Sequence, residues 1–103
     1  MENWGNIRSL IEYSRGGILS KKILEDGSLD LTLFCMAKDT KISEHTSTKK
    51  GFIYVIEGDG EFDLSGEKIL MKPSIIINLE KNAVHSLKAF ENTSFILSLF
   101  QLL

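Results

Sequence analysis

The sequence predicts an all-β fold, a sandwich or a barrel, preceded by one short helix. Short runs rich in β-branched, aromatic and other apolar residues recur at spacings of roughly 8–12 residues. Most of these runs are separated by residues that favour turns. Several runs also alternate between apolar and polar positions, which is the period of a half-buried strand. Together these observations favour many short strands over a helical bundle.

The helix is expected near the N-terminus. Asn6 is a suitable N-cap, because its side chain can accept a hydrogen bond from the first helical turn. Apolar and small residues then follow at helical spacing, at Ile7, Leu10, Ile11 and Ser14. The pair Gly16-Gly17 ends the predicted helix.

The pattern changes to strands after the glycine pair. The predicted strands are Ile18–Leu24, Leu29–Met36, Lys41–Ser47, Phe52–Glu57, Glu61–Leu64, Lys68–Met71, Ile75–Leu79, His85–Phe90 and Thr93–Leu102. Turn signals lie between them at Asp26-Gly27-Ser28, Asp59-Gly60, Ser65-Gly66, Pro73-Ser74 and Glu91-Asn92. At such positions glycine takes a positive φ, proline presets φ, and Asn or Asp bonds its own backbone.

Length and composition predict one ordinary globular domain over residues 1–103. A helix and arm occupy about 1–17 and the β-rich part about 18–103. An apolar content of 43% with 25% charged residues argues against disorder. A net charge of -2 without a basic stripe argues against a nucleic-acid partner.

The single cysteine, Cys35, excludes an internal disulfide and a cysteine-based zinc site. Because it alternates with Leu31 and Leu33, we interpret it as a small core residue.

Neither end of the chain resembles a targeting or membrane segment. The residues Met1–Asn6 lack the basic and apolar regions of a secretory signal. The apolar C-terminal tract, Phe95–Leu103, has about half of the length that a membrane-spanning helix needs. We therefore expect a cytoplasmic protein without membrane contact.

The run Leu29–Met36 is apolar on both of its faces. One face carries Leu29, Leu31, Leu33 and Cys35, and the other carries Asp30, Thr32, Phe34 and Met36. Because the second face is half apolar, we expect this strand to be covered on both sides, by another sheet or by another subunit. Together with the apolar C-terminal run, this pattern predicts a homodimer, since an open apolar strand edge invites pairing.

Two histidine-centred frames resemble the two motifs of the cupin family. The first family motif reads G-x5-H-x-H-x3-4-E-x6-G, and the second reads G-x5-P-x-G-x2-H-x3-N. The first frame falls here on Asp39, His45, Ser47, Gly51 and Gly58, and the second on Ser74, Glu80, Asn82, His85 and Ala89. The segment between the frames, Asp59–Pro73, has a length typical of compact cupins. The resemblance implies a cupin double-stranded β-helix, that is, a jelly-roll barrel with a short N-terminal helix.

The resemblance also implies a metal site of three histidines and one glutamate that holds Fe, Mn, Ni or Zn. Only His45 and His85 match these positions, since Ser47 stands in place of the second histidine and Gly51 in place of the glutamate. Glu44 is not expected to substitute, because neighbouring residues on a strand point to opposite faces. A first-row divalent ion needs at least three good protein donors. We therefore expect either no metal or a weakly bound divalent ion at an incomplete site.

The predicted ligand site is a mostly apolar pocket inside the barrel. Its expected lining residues are His45, Ser47, His85, Glu80 and Asn82. The first hypothesis is binding of a small molecule without a metal, because two imidazoles with a pKa of about 6.5 suit acid–base work or anion binding.

The sequence leaves two other functions open and does not decide whether the protein is an enzyme. One is a metal-dependent oxygenase, isomerase or lyase that uses His45, His85 and a third ligand that the sequence does not identify. The other is a structural or interaction module whose pocket is filled by its own side chains.

Overall fold

The computed structural model describes residues 3–101 and consists of two antiparallel β-sheets. The elements in this range are α1 (Ile7–Leu10), β1 (Ile18–Asp26), β2 (Leu29–Met36), β3 (Lys41–His45), β4 (Lys50–Glu57), β5 (Gly60–Leu64), β6 (Glu67–Met71), β7 (Ile76–Leu79), β8 (His85–Ala89) and β9 (Thr93–Phe100). The large sheet has the strand order β1-β2-β9-β4-β7, and the small sheet has the order β3-β8-β5-β6. The predicted all-β class with a short N-terminal helix is thus confirmed.

The two sheets have a jelly-roll topology but do not close into a barrel. From β2 to β9 the chain changes sheets at every connection except the β5–β6 hairpin, which gives four strands of a jelly roll in each sheet. In the part of the chain that the structure describes, no strand of the large sheet pairs with a strand of the small sheet. Core side chains fill the space between the sheets. Packed sheets lie about 10 Å apart, which is too far for a hydrogen-bonded ladder to close the expected barrel.

The helix is a single turn, shorter than predicted. Asn6 is the N-cap as expected, since its side-chain oxygen accepts a hydrogen bond from the Arg8 N–H at 3.0 Å. Ile11 already has an extended conformation, so the helix ends before the predicted Ser14. From Ile11 to Ser14 partly buried and exposed residues alternate, which is the period of an extended chain and not of a helix.

The strand ends differ slightly from the predicted ones. Strand β3 ends at His45 and not at Ser47, whose carbonyl accepts a hydrogen bond from the Asn82 N–H in a loop contact. Strand β1 continues to Asp26. The predicted end of the last strand, Leu102, lies outside the described residues.

The main core lies between the sheets and draws side chains from both. Its buried members are Met36, Ile53, Val55, Phe62, Met71, Ile77, Leu79, Leu87, Ala89 and Phe95. The rings of Phe34 and Phe95 stack with a centroid distance of 5.2 Å. These side chains occupy the region where the sequence predicts an apolar ligand pocket.

A second apolar cluster lies on the outer face of the large sheet, under the N-terminal arm (residues 3–15). Leu33, Cys35 and Ile96 are buried in this cluster. The arm contributes Ile7, Leu10, Ile11 and Tyr13 to it. Strand β2 is therefore covered on both sides, as predicted: the small sheet covers its inner face, and the same chain's arm covers its outer face. Cys35 is fully buried.

Glu57 fastens the arm to the end of β4. The Tyr13 hydroxyl donates a hydrogen bond to Glu57 Oε2 at 2.8 Å, and Arg8 lies 3.6 Å from Oε1 of the same carboxylate. Burial raises the pKa of Tyr13 to about 12, with Ser94 opposing the shift and Glu57 adding to it. Tyr13 therefore stays protonated and remains a donor to Glu57 at neutral pH.

The substitution Tyr13→Phe should loosen the arm while it keeps the aromatic ring. Loss of the hydrogen bond to Glu57 should lower the free energy of unfolding by about 1 kcal/mol, measured by urea denaturation at neutral pH. Tyr54→Phe is the matched control, because the Tyr54 hydroxyl is exposed and lies 3.5 Å from Ser74 Oγ. Equal losses in the two variants would contradict the role of the Glu57 contact.

Candidate functional site

The two histidines of the predicted site lie side by side at one end of the small sheet. His45 on β3 and His85 on β8 are direct cross-strand partners. Their ring centroids are 4.0 Å apart and the ring planes meet at 63°, an edge-to-face contact. His85 is 5% exposed, whereas His45 is exposed at the rim.

A β-bulge in β3 brings His45 to this position. Ile42 pairs with Leu87, but the next registered pair is His45 with His85, so β3 has one more residue than β8 between the two pairs. The extra residue shifts the alternation of side chains, and His45 falls on the same face as Ile42. Strict alternation would place those two residues on opposite faces.

Backbone carbonyls hold both imidazole rings. His45 Nδ1 lies 2.8 Å from the Ser43 carbonyl oxygen, and His85 Nδ1 lies 3.0 Å from the Ala83 carbonyl oxygen. A carbonyl oxygen only accepts hydrogen bonds, so each Nδ1 carries a proton. Each neutral ring therefore has an unprotonated Nε2 that can accept a hydrogen bond or coordinate a metal ion.

The surroundings of His85 favour its neutral form. Its ring stacks on the buried ring of Phe62 with a centroid distance of 5.6 Å. Burial lowers the pKa of His85 from its ordinary value of 6.5; the Ala83 carbonyl opposes the shift, and the charge of His45 adds to it. At neutral pH the Nε2 lone pair of His85 is therefore free.

A small polar groove opens beside His85. Its volume is about 140 Å³, and its lining residues are Glu44, Asp63, Ser65, Gly66, Val84, His85 and Ser86. We call this cleft the His85 groove. Asp63 accepts a hydrogen bond from the Gly66 N–H at 2.9 Å and lies 2.8 Å from Lys68. Lys68 and the Gly66 N–H lower the pKa of Asp63, so its carboxylate is charged at neutral pH.

The other predicted pocket residues do not line this groove. Ser47 and Asn82 lie together in the loops that follow β3 and precede β8, joined by a backbone hydrogen bond of 2.7 Å. Glu80 forms an ion pair with Lys50 at 2.9 Å and accepts a hydrogen bond from Asn78 at 2.8 Å. It lines a separate groove of about 470 Å³. The structure therefore joins His45 to His85 and separates Glu80 from them.

Two acidic residues of the His85 groove, Glu44 and Asp63, were not among the predicted site residues. Strict alternation along the strand predicts that Glu44 points away from the histidines, but the bulge beside it breaks that alternation. Asp63 follows the core residue Phe62 in β5 and has no motif of its own. In the sequence it looks like any outward-facing strand residue.

The donor set does not fit a resident metal ion. Among residues 3–101, no three His, Cys, Asp or Glu side chains form a group that could hold one. Gly51 occupies the position of the implied glutamate, and a Cβ atom there would collide with the carbonyl oxygen of Ser98 in β9. Two imidazoles remain as donors, short of the three that a firmly bound divalent ion needs.

Three solved structures illustrate what the chain is similar to. A conserved protein of unknown function from Streptococcus pyogenes has a TM-score of 0.88 at 17% identity, with 100% of this chain and 90% of that chain covered. A cupin superfamily protein from Desulfitobacterium hafniense has the same score and identity, with 97% and 92% covered. A cupin 2 conserved barrel domain protein from Leptotrichia buccalis has a TM-score of 0.87 at 23% identity, with 94% and 47% covered.

The chain therefore has the cupin fold, which confirms the resemblance drawn from the two histidine frames. Similarity at these identities concerns the fold alone. No family model matches the sequence, and no curated protein matches it either. In the described range, none of the helical structure is long and apolar enough to cross a membrane.

The pH dependence of stability should follow His85. Because its pKa is lower in the folded state, the unfolded chain takes up the proton first as the pH falls. The contribution of His85 to the free energy of unfolding is complete above a pH of about 6.5, and it declines as the pH falls toward the folded-state pKa. NMR titration of the two histidines of the chain should give a pKa below 6.5 for His85 and Nδ1–H tautomers for both rings.

Urea denaturation at several pH values measures this decline in the free energy of unfolding. The substitution His85→Gln should remove it. His45→Gln is the matched control and should retain most of it, since His85 remains buried against Phe62. A pKa at or above 6.5 for His85 would contradict the described environment.

A side chain introduced at Gly51 should lower the free energy of unfolding without creating a metal site. Gly51→Ala should lower the free energy of unfolding by about 1–3 kcal/mol, because β4 and β9 must move apart to admit the Cβ atom. Gly51→Glu should lower the free energy of unfolding at least as much, and it should not retain a metal ion after desalting. Gly27→Ala is the control, since a Cβ atom there meets nothing within 4 Å. A stable Gly51→Glu variant that keeps one equivalent of metal after desalting would contradict this.

Proposed function

We propose that the protein binds a small molecule at the His45–His85 pair and in the adjoining His85 groove. The preorganised pair is the observation that carries this proposal. Backbone carbonyls fix both rings, and each ring has an Nε2 atom free to interact. A few fixed polar groups beside an apolar core are typical of ligand sites. We take the cytoplasm as the compartment, where a lone thiol stays reduced.

The groups at this site suit a ligand that donates hydrogen bonds. The carboxylates of Glu44 and Asp63 are acceptors, and so is an imidazole Nε2 atom when Nδ1 carries the ring's proton. A small amine or polyol therefore fits better than an anion, which the carboxylates would repel. A volume of about 140 Å³ is well below the roughly 300–1,000 Å³ of pockets for drug-sized ligands, so the bound part of the ligand is small.

The alternative is a metal-dependent enzyme of the oxygenase, isomerase or lyase class. It is favoured by the two free Nε2 atoms of His45 and His85, which are suitable ligands for Zn, Ni, Mn or Fe. It needs a third donor, and none groups with the histidines within residues 3–101. We therefore place it second.

A third candidate is an interaction module. The observation in its favour is the core between the sheets, where Phe62, Phe95 and Met36 are fully or almost fully buried. Because side chains fill its interior, an interaction module with this fold would bind its partner on an outer surface.

NMR titration with ethanolamine and glycerol as first probes tests the proposed site. We expect the imidazole signals of His45 and His85 to shift on titration with at least one probe. His45→Gln and His85→Gln should each weaken binding about tenfold, which corresponds to about 1.4 kcal/mol. Glu80→Gln, in the separate groove, is the control and should bind as the parent protein does. Unchanged imidazole signals with both probes, or equal binding by the double histidine variant, would contradict the proposal.

Elemental analysis of untagged protein after desalting separates the metal-dependent alternative from the first proposal. A two-donor site should retain well under one equivalent of transition metal. A full equivalent that disappears in His45→Ala and His85→Ala would favour the enzyme.

A further inference from the structure

The N-terminal arm is attached to the large sheet by side chains and not by a hydrogen-bonded ladder. Among residues 3–15, no hydrogen bond between main-chain groups joins the arm to a strand. Glu57 accepts the hydrogen bond from Tyr13, and Lys21 donates one to the Leu10 carbonyl at 2.8 Å. Segments held by few contacts open at a lower free energy than the strands beneath them. The arm is therefore the part of the described chain best suited to move on its own.

Gly16 is the point about which the arm can turn. Its φ is +69°, a conformation that glycine adopts without strain, and a Cβ atom there would meet nothing within 4 Å. The next residue is already fixed, because the Gly17 carbonyl accepts a hydrogen bond from the Ala37 N–H at 3.1 Å. The chain is thus held from Gly17 onward and can bend just before it.

The thiol of Cys35 and the hydroxyl of Ser94 lie next to each other under the arm. The two residues are register partners on β2 and β9, so their side chains share the outer face, and both are fully buried. Ser94 is also the register partner of Glu57, the residue that fastens the arm. Its hydroxyl has no hydrogen-bond partner in the described range. A buried hydroxyl without a partner opposes the closed arm, since water can reach it when the arm lifts.

We propose that the arm lifts as a unit about Gly16 and so controls access to Cys35, and that a small disulfide which reacts with Cys35 holds the arm open. The protein then has a closed reduced form and an open modified form. This device is independent of the proposed ligand site, which lies in the small sheet.

The reaction is a thiol–disulfide exchange. The Cys35 thiol loses its proton to solvent, and the thiolate attacks one sulfur of the small disulfide. The S–S bond of that disulfide breaks, a mixed disulfide forms on Cys35, and the other half leaves as a thiolate. Because Cys35 is fully buried under the closed arm, the packed cluster has no room for the added group. A free thiol reverses the reaction by the same exchange.

The rate at which the full chain reacts with Ellman's reagent measures the opening of the arm. The rate should exceed what global unfolding permits, and in urea it should rise less steeply than the equilibrium constant for global unfolding. Tyr13→Phe should speed the reaction about fivefold, because the closed arm then lacks the hydrogen bond to Glu57. Tyr54→Phe is the matched control and should react as the parent protein does, since the Tyr54 hydroxyl is exposed near Ser74.

Gly51→Ala separates opening of the arm from global unfolding. This variant should lower the free energy of unfolding but leave the reaction rate of Cys35 unchanged, because the added Cβ atom meets Ser98 and Leu99 of β9 and not the arm. A rate that rises in Gly51→Ala by the same factor as the equilibrium constant for unfolding overturns the proposal. An unchanged rate in Tyr13→Phe overturns it too.

Trypsin cleavage after Arg8 and Arg15 reports whether the modified arm stays open. Protein that carries the hydroxyethyl disulfide adduct should be cleaved there at least about tenfold faster than the parent protein, and dithiothreitol should restore the protection. Cys35→Ala treated with the same disulfide is the control and should show no change. Circular dichroism of the adduct should retain the β-sheet signal. An adduct that is globally unfolded, or whose arm is cleaved at the parent rate, overturns the proposal.

Discussion

Burial of both faces of the large sheet is the constraint on which the rest of the structure depends. Strand β2 carries Phe34 and Met36 on its inner face and Leu33 and Cys35 on its outer face. The small sheet covers the inner face. Residues 3–101 form no third sheet for the outer face, and the N-terminal arm covers it instead. The outer cluster draws on β1, β2 and β9 and includes Ile56 of β4, but β7 adds no residue to it.

The same packing determines the electrostatics of the histidine pair. Phe62 is fully buried between the sheets, and His85 stacks on it at the end of the core. The ring of His85 therefore has an apolar neighbour on one side and His45 on the other. Two protonated rings would place like charges side by side at this end of the sheet, which disfavours double protonation of the pair. Its chemistry is that of two hydrogen-bond acceptors.

The strands and the meeting of the two histidines could be predicted from the sequence, because both depend on local periodicity and on the spacing of the two frames. The bulge in β3 could not be predicted, because the alternation of side chains along a strand does not reveal where an extra residue is inserted. The bulge determines which face His45 occupies, and Glu44, which lies beside the bulge, lines the groove. The sequence predicts a longer helix in the arm because Ile7, Leu10 and Ile11 fit a helical period. Tertiary packing instead draws Ile11 and Tyr13 onto the sheet as an extended segment.

Gly51 links the chemistry of the site to the packing of the large sheet. In the frame of the cupin motif it holds the position of a carboxylate ligand. In this chain it is the point where β4 approaches β9 too closely for any side chain. The close packing of β4 against β9 thus leaves no room for a glutamate at this position, and a substitution of Gly51 alone does not create the ligand. The groove beside His85 has carboxylates of its own, from Glu44 of β3 and Asp63 of β5. Imidazole Nε2 atoms that accept hydrogen bonds and two carboxylates in the adjoining groove are the reason why we propose a hydrogen-bond donor, and not an anion, as the ligand.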